Sequence, residues 1–449
     1  MSSRRVGSSK RGRPRPCSKV PTFSGHTSVS RASVWPLLAA LTIAACAVGP
    51  VGGQHVVGVV QLGAELPLSG DDAPDGIPVK NAVELAVKKA GVVCGAASHT
   101  DACVTLQLVA YDDVIKGIHD PAQGAKNIRL LAADDRVVGL VGPLYDSLAR
   151  SELPAANGAG LAMISPANTD ECLTQEPPDG HCQGLAARLR SGGGNNYFRV
   201  VTTQLMEGLA GADLAYQTLA RRRAFVLTDQ TPVGLASATQ FADRFTKDGG
   251  TVVNTADLGG SQSFPSSSVG SAVQRAGRLR TDVIYFAGSD VQVAADVRAE
   301  MGARMPNVPL IGTDRLANSL FAKLSGAYAR GSYYTVVGAY PPRIGRASAF
   351  LGEYRNAYGQ GASGLSLQAF DATNLLIDAI ARAIDASGGT RPSRSQVLAE
   401  VGRTKDYRGL MGTMSFDGRG DTTLKLVTVF QWLAPLEPVG QFVTQITVR

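Results

Sequence analysis

The 449-residue sequence predicts an α/β fold of two lobes, with the chain crossing between the lobes more than once. Three observations predict it: repeated strand–helix units up to Ser165, a second series of units beginning at Tyr197, and mainly helical segments beyond Pro309–Gly312. Repeated β-α units are typical of a parallel sheet covered by helices. The roughly 400 residues that follow the N-terminal region suit two domains better than one.

Each series alternates apolar strands with helices whose apolar residues recur at helical spacing. The first series comprises strands Val56–Leu62, Val104–Tyr111, Val137–Val141 and Leu161–Ser165, with helices Val79–Ala90, Ala122–Ala133 and Ser147–Asn157. The second comprises strands Tyr197–Val201, Arg223–Thr228, Thr251–Thr255 and Asp282–Ala287, with helices Leu205–Arg221, Val233–Asp248, Val269–Arg278 and Val291–Met301. The last segment has helices Ala347–Tyr358 and Leu367–Ser387 and a strand–turn–strand pattern at Asp417–Gly420.

The net charge of +7 is concentrated at the N-terminus. Residues 1–45 contain eight of the 44 Lys and Arg residues and no Asp or Glu, which leaves 36 basic against 37 acidic residues in the rest. The remaining chain therefore lacks the basic surplus that nucleic-acid binding requires, and no nucleic-acid partner is expected.

The basic N-terminus precedes an apolar run of 12 residues, Val34–Ala45. This run is too short to span a membrane but fits a secretory signal peptide. Its end, Ile43-Ala44-Ala45-Cys46, resembles the lipobox of bacterial lipoproteins, which implies lipidation of Cys46 and a membrane anchor. A plain signal peptide with an incidental cysteine is the alternative. Ser3-Arg4-Arg5 only faintly resembles a twin-arginine signal, and a start codon placed too far upstream would explain the long basic region equally well.

Four cysteines remain after Cys17 and Cys46: Cys94, Cys103, Cys172 and Cys182. In an exported protein they predict two disulfides, and although three connectivities are possible, pairing of sequence neighbours is the simplest. A structural zinc site is not expected because no Cys-x-x-Cys pair or paired histidines occur. His181 is expected to be an exposed loop residue.

Enzyme motifs are absent from the sequence. It contains no GxxxxGK[ST] or GxSxG pattern, and its GxGxxG match, Gly359–Gly364, follows the predicted helix Ala347–Tyr358 rather than a strand, so neither a cofactor nor an enzymatic activity is expected. The acidic pairs Asp112-Asp113 and Asp134-Asp135 could be considered as acid–base groups of an exported enzyme. Both pairs lie at predicted element ends, where solvent-exposed acids are common.

Eight sequence blocks, spread in order over residues 55–432, resemble the type I periplasmic solute-binding proteins, specifically the branched-chain amino-acid binding proteins of ABC transporters. These blocks are Leu66–Gly70 with Gly76, Ala110–Asp113, Asp120-Pro121, Val138–Leu144, Ile164–Thr169 with Leu173-Thr174, Tyr197–Arg199, Leu310–Asp314, and Gly412–Asp421. The resemblance implies two Rossmann-like lobes joined by a multi-strand hinge, with a ligand cleft between them.

The resemblance also implies a ligand site. In this family the loops matching Leu144-Tyr145-Asp146-Ser147 and Ala167-Asn168-Thr169 hold the ligand carboxylate. Ser147 and Thr169 would contribute to that contact, and Ala167 would offer its backbone. The family's acidic residue matching Asp314 holds the ligand amine. Independently of the family, ligands of open α/β sheets bind beyond the carboxyl ends of strands, where these loops are expected.

Several family positions differ in this chain. Val233 replaces a tyrosine that covers the ligand, Asp75 replaces an aromatic residue, and Asp146 stands where a hydroxyl is expected. Ser289-Asp290 likewise replaces aromatic residues. These changes predict a polar, acidic pocket, although Asp75 and Asp290 could simply be solvated or N-cap residues.

We therefore expect a lipid-anchored protein that captures an amino acid or similar small polar solute by hinge closure for an ABC permease. A ligand sensor of the same fold is the alternative. The expected boundaries are a signal peptide at 1–45, a tether at 46–54, an N-terminal lobe at 55–201 and 315–429, and a C-terminal lobe at 202–314 and 430–449.

Overall fold

The computed structural model describes residues 55–97, 101–177, 180–229, 231–258, 266–433 and 440–449. The expected signal peptide (1–45), the lipidation site at Cys46 and the tether (46–54) lie outside these ranges. None of the helices within them is both long enough and apolar enough to cross a membrane.

The described residues form an α/β structure. Its strands are β1 (His55–Leu66), β2 (Val92–Cys94), β3 (Ala102–Asp112), β4 (Val114–Ile115), β5 (Ile118–His119), β6 (Val137–Val141), β7 (Ala162–Ser165), β8 (Tyr197–Arg199), β9 (Arg223–Thr228), β10 (Thr251–Asp257), β11 (Val283–Ala287), β12 (Leu310–Gly312), β13 (Ser332–Val337), β14 (Tyr407–Arg408), β15 (Thr413–Met414), β16 (Leu426–Gln431) and β17 (Gln441–Thr447). Its α-helices are α1 (Ala73–Ala90), α2 (Pro121–Ala133), α3 (Asp146–Gly158), α4 (Leu185–Leu189), α5 (Leu205–Asp213), α6 (Pro232–Lys247), α7 (Ser266–Arg278), α8 (Val291–Arg304), α9 (Ser319–Ser325), α10 (Ser348–Tyr358), α11 (Gly364–Ala386) and α12 (Arg394–Gly402).

The first lobe is built on a six-stranded sheet in the order β2-β3-β1-β6-β7-β8. All neighbouring strands are parallel except β2 and β3. Both faces are covered: α1 and α11 pack with the apolar side chains of one face, and α2 and α3 with those of the other. Burial on both faces explains why β6, Val-Val-Gly-Leu-Val, is apolar without alternation.

The second lobe is built on a seven-stranded sheet in the order β10-β9-β11-β12-β13-β16-β17. The strands from β10 to β13 are parallel to their neighbours, whereas β16 and β17 pair antiparallel. Helices α7, α8 and α9 contribute to the apolar core on one face of this sheet, and α5 and α6 contribute to a second core. The predicted helix Leu205–Arg221 is shorter as a regular α-helix, because α5 passes into a π-helical turn at Leu214–Thr218.

Three segments of the chain connect the two sheets. They lie between β8 and α5, between β13 and α10, and between β15 and β16. The return to the first lobe therefore follows Val337 rather than residue 314, because Ser332–Val337 pairs with β12 in the second sheet. Likewise, residues 426–429 belong to the second sheet through β16. We expected the second series of strand–helix units to begin with β8, but β8 is a strand of the first sheet.

Both predicted local disulfides are present and confirm that expectation. Cys94–Cys103 joins β2 to β3, where the two cysteines are register partners. Cys172–Cys182 closes a loop between β7 and α4. His181 is not the exposed residue that we expected, since its side chain is only 14% exposed and its Nε2 lies 3.2 Å from Glu171 Oε1. The two sulfur atoms beside His181 form a disulfide and so are not thiolates available to a metal.

Three acidic side chains are buried together in the first lobe. Glu65, Asp113 and Glu152 have no exposed surface, and one oxygen of Glu65 accepts a hydrogen bond from the Asn127 side chain (3.1 Å). Burial and the neighbouring acids raise the pKa of Asp113 to about 8 and place the pKa of Glu152 well above its usual range. The expectation that Asp112-Asp113 is a solvated pair is therefore wrong for Asp113, which packs against acids from two other elements.

Candidate functional site

A cavity of about 300 Å³ lies between the two lobes. The first lobe contributes Asp146 and Arg150 from α3 and Asp170 from the loop after β7. Gln204 and Leu205 line it where the chain enters the second lobe. This volume is at the lower end of the range typical of small-molecule pockets.

The second lobe supplies the larger part of the wall. Its residues come from α5, from the start of α6, and from the turns after β11 and β12. The lining residues of this lobe are Glu207, Thr231, Val233, Gly234, Ser237, Ala287, Gly288, Ser289, Thr313, Asp314 and Arg315. Most lie beyond the carboxyl ends of parallel strands, where free backbone groups and helix N-termini face a ligand.

Two carboxyl groups dominate the second-lobe wall. Glu207 is 2% exposed, and one of its oxygens accepts hydrogen bonds from the backbone N–H of Asp314 (2.8 Å) and the Thr335 hydroxyl (3.1 Å). Burial raises the pKa of Glu207 well above its usual range, and the Asp314 carboxylate adds to that increase. The Asp314 side chain is 49% exposed but faces the confined cavity, and desolvation raises its pKa as well. This arrangement would stabilise a cation beside the two acids.

The first-lobe wall carries a second acidic pair. Asp146 begins α3, and its carboxyl group accepts a long hydrogen bond (3.4 Å) from the backbone N–H of Asp170 and lies near that of Thr169. Burial and the neighbouring Asp170 outweigh these contacts and raise the pKa of Asp146 to about 6. Asp170 pairs with Arg150, whose Nη2 lies 2.5 Å from Asp170 Oδ2.

Asp229 holds two loops of the second-lobe wall together. It accepts hydrogen bonds from the backbone N–H and hydroxyl groups of both Thr231 and Ser289. Burial opposes ionisation of Asp229, but these four donors outweigh it and lower the pKa. Gly234 belongs to the same arrangement, because a Cβ there would lie 2.3 Å from Asp229 Oδ1.

Four of the residues expected at the ligand site line the cavity: Asp146, Val233, Ser289 and Asp314. The expected absence of aromatic covering is also visible, since no ring from the described residues lines the cavity. The other eight expected residues lie outside this lining: Asp75, Leu144, Tyr145, Ser147, Ala167, Asn168, Thr169 and Asp290.

The structure shows what several of those eight do instead. Asn168 is buried and holds two neighbouring segments together, donating to the Leu144 carbonyl and accepting from the Tyr197 hydroxyl. Tyr145 stacks on His119 and donates to Asp75. Asp290 accepts hydrogen bonds from two backbone N–H groups at the start of α8, which is the N-cap role considered for it.

Sequence reasoning missed several lining residues: Arg150, Asp170, Gln204, Leu205, Glu207, Thr231, Gly234, Ser237, Ala287, Gly288, Thr313 and Arg315. Two of them carried a usable signal. Glu207 is an acid within the mainly apolar and small segment Leu-Met-Glu-Gly-Leu-Ala-Gly-Ala of α5, a pattern in which an acid is unusual unless buried for a purpose. Thr231 precedes Pro232 at a strand-to-helix junction, as an N-cap residue does.

Two α/β lobes enclosing a cavity lined by several acids are typical of solute-binding proteins, and the chain belongs to the family described as periplasmic binding protein, whose model matches residues 59–434. Members of this family are extracytoplasmic proteins that bind solutes and are not enzymes.

Individual relatives agree with this assignment. The Leu/Ile/Val-binding protein homolog 2 of Brucella abortus is 22% identical over 391 residues, covering 86% of this chain and 94% of that protein. An ABC transporter substrate-binding protein from Desulfitobacterium hafniense, solved with leucine, is 21% identical with a TM-score of 0.62, covering 86% and 99% of the two chains. A solute-binding protein from R. palustris, solved with benzoate, is 20% identical with a TM-score of 0.55, covering 86% and 96%. These likenesses confirm the predicted fold.

Proposed function

We propose that this protein captures a small solute bearing an amino group between its two lobes and delivers it to an ABC permease. The observation that carries the proposal is the pairing of Glu207 with Asp314 in the cavity wall. An ammonium group placed there would favour the ionised state of the buried Glu207 and could pair with Asp314 at the same time. The transporter role is supported by the names of its relatives.

Hinge closure is the proposed mode of capture. Both lobes contribute to the cavity wall, and three chain segments connect the two sheets. A solute that contacts both walls favours the closed arrangement, because those contacts exist together only when the lobes approach. Small-angle X-ray scattering should therefore show a smaller radius of gyration when solute is added.

The amine contact is tested with Asp314→Asn in soluble protein beginning at Ala47. Solutes found by a thermal-shift screen of amino acids, amides and amines would be measured by titration calorimetry. We expect Asp314→Asn to weaken the best solute about ten- to hundredfold, which is the range for losing one hydrogen bond to a charged group. Asp290→Asn is the matched control, because Asp290 lies outside the cavity lining and Asn also caps helices well. Equal affinity in Asp314→Asn and the control would contradict the proposal.

Membrane anchoring through Cys46 belongs to the same proposal. A lipid on Cys46 would keep the solute-binding lobes close to the permease after the leader is removed. Mass spectrometry of the N-terminal peptide from membranes should show a diacylglyceryl cysteine, and Cys46→Ser should release the protein in unmodified form. An unmodified mature N-terminus elsewhere in the leader would refute the anchor while leaving solute binding untouched.

A further inference from the structure

We infer that the solute carries no free carboxylate and instead presents a second cationic group to Asp146, as a short diamine or a guanidino-amine does. The inference rests on the proposed function and specifies the solute class of the same cavity. It comes from the contacts and the charge balance of the two cavity walls.

The first observation concerns the loop after β7, which could otherwise bind an anionic group of the solute. The backbone N–H of Asp170 already donates to the Asp146 carboxyl group (3.4 Å), and the backbone N–H of Thr169 lies near the same carboxyl group. Both residues lie in the loop that follows β7, and clustered backbone N–H groups of this kind bind anionic oxygens. Because the chain's own carboxyl group occupies them, a ligand carboxylate would have to displace Asp146 and then lie beside it. Repulsion between two carboxylates in a confined cavity opposes that arrangement.

Charge pairing leaves one excess acid on each wall. Arg150 pairs with Asp170 on the first lobe, and Arg315 Nε lies 3.6 Å from Asp314 Oδ1 on the second. Asp146 and Glu207 are the two lining acids with no cationic side chain within 4.0 Å among the described residues, although Arg199 and Arg315 lie near enough to favour their ionisation. One of the two acids lies on each lobe, so a solute with a positive group at each end would neutralise both walls and hold the lobes together. A solute with a single positive charge would neutralise only one of the two walls.

The cavity volume sets the size of the solute. About 300 Å³ is shared by the solute and any water that accompanies it, so a compact, short-chain dication fits better than a long polyamine. No aromatic side chain of the described residues lines this space. Stacking of the solute on a ring is therefore not available from those residues, which leaves charge, hydrogen bonds and contact with aliphatic residues such as Leu205 and Val233.

The experiment compares amino acids with their decarboxylated counterparts, which differ by the carboxylate alone. The pairs are arginine with agmatine, lysine with 1,5-diaminopentane, and leucine with 3-methylbutylamine. Affinities would be measured by calorimetry at pH 7.5 for the native sequence, Asp146→Ser, Asp146→Asn and the control Asp290→Asn. Asp146→Asn keeps the size of the side chain, so it tests the loss of charge even if Asp146→Ser does not fold.

We expect agmatine or 1,5-diaminopentane to bind at least tenfold more tightly than its amino acid, and 3-methylbutylamine to bind more weakly than either. Asp146→Asn should weaken the dication at least tenfold, whereas Asp146→Ser should also strengthen the amino acid. Tighter binding of the amino acid in all pairs, with loss of affinity in Asp314→Asn, would overturn the inference but keep the proposed function. Binding of no member of any pair would overturn both.

Discussion

The buried acids of the first lobe predict that this protein loses stability as the pH rises. Glu152 on α3 has no exposed surface, and burial followed by the charge of Glu65 places its pKa well above the usual range. The folded protein therefore retains a proton that the unfolded chain releases above a pH of about 4.5. The stability that comes from this proton is fully present below that pH and declines as the pH approaches the folded-state pKa.

Replacing Glu152 with Gln removes this proton linkage, so the size of its effect on the free energy of unfolding can be worked out. Gln is close in shape to a protonated Glu and is neutral at every pH. Each proton taken up on folding changes the free energy of unfolding by about 1.4 kcal/mol per pH unit. Between pH 5 and 7, Glu152→Gln should therefore become more stable relative to the native sequence, by at most about 2.7 kcal/mol, the limit set by one whole proton.

Urea unfolding at pH 5, 6 and 7 measures this difference directly. Glu353→Gln is the matched control, because Glu353 lies on α10 with its side chain 43% exposed and should show no such trend. If the free energies of unfolding of Glu152→Gln and the native sequence changed in parallel with pH, Glu152 would be ionised in the folded protein. The account of the buried acids would then be wrong.

Two further predictions concern stability. Arg199→Met should lower the free energy of unfolding by about 3–5 kcal/mol in urea titrations, because it leaves Asp421 buried without its cation, 2.6 Å away in the native protein. Adding Asp421→Asn to this variant should recover part of the lost stability. A loss below about 1 kcal/mol in Arg199→Met would contradict the role of the pair. Replacing Cys94 and Cys103 together by Ser should cost about 2–3 kcal/mol, since the disulfide closes a loop with a sequence separation of 9. Calorimetric unfolding should show a lower transition temperature for the double variant, which keeps the Cys172–Cys182 disulfide, than for the oxidised native protein, and an unchanged transition temperature would argue against that contribution.

Much of the fold was predictable because its strands are short apolar runs buried on both faces, such as Val137–Val141, which were predicted with the observed bounds. The boundaries of the two lobes were harder to predict from the sequence. Ser332–Val337 belongs to the second sheet because of its pairing with β12 and with β16, a strand about 90 residues later. Local sequence does not encode that pairing, so the return to the first lobe was expected too early.

The site was predictable mainly through the family resemblance. Asp314 was predicted because it matches the family's acidic residue and Asp146 because it departs from the family's hydroxyl residue, and both line the cavity. Asp113 follows β3 and was misjudged because it is buried against Glu152, which lies on α3, a separate element of the chain. Glu207 was missed for a similar reason, since its partner Asp314 is separated from it by 107 residues.

The contacts of Arg199 have a consequence for how the lobes can move. Arg199 ends β8, just before the first connection between the sheets, and Asp421 lies in the third connection. Their ion pair, together with the backbone bond from Arg199 N–H to the Gly420 carbonyl, fastens these two connections to each other. Under the proposed hinge closure, two of the three connections would therefore bend as one unit with the segment after β13 as the other pivot, which favours rotation of the lobes over sliding.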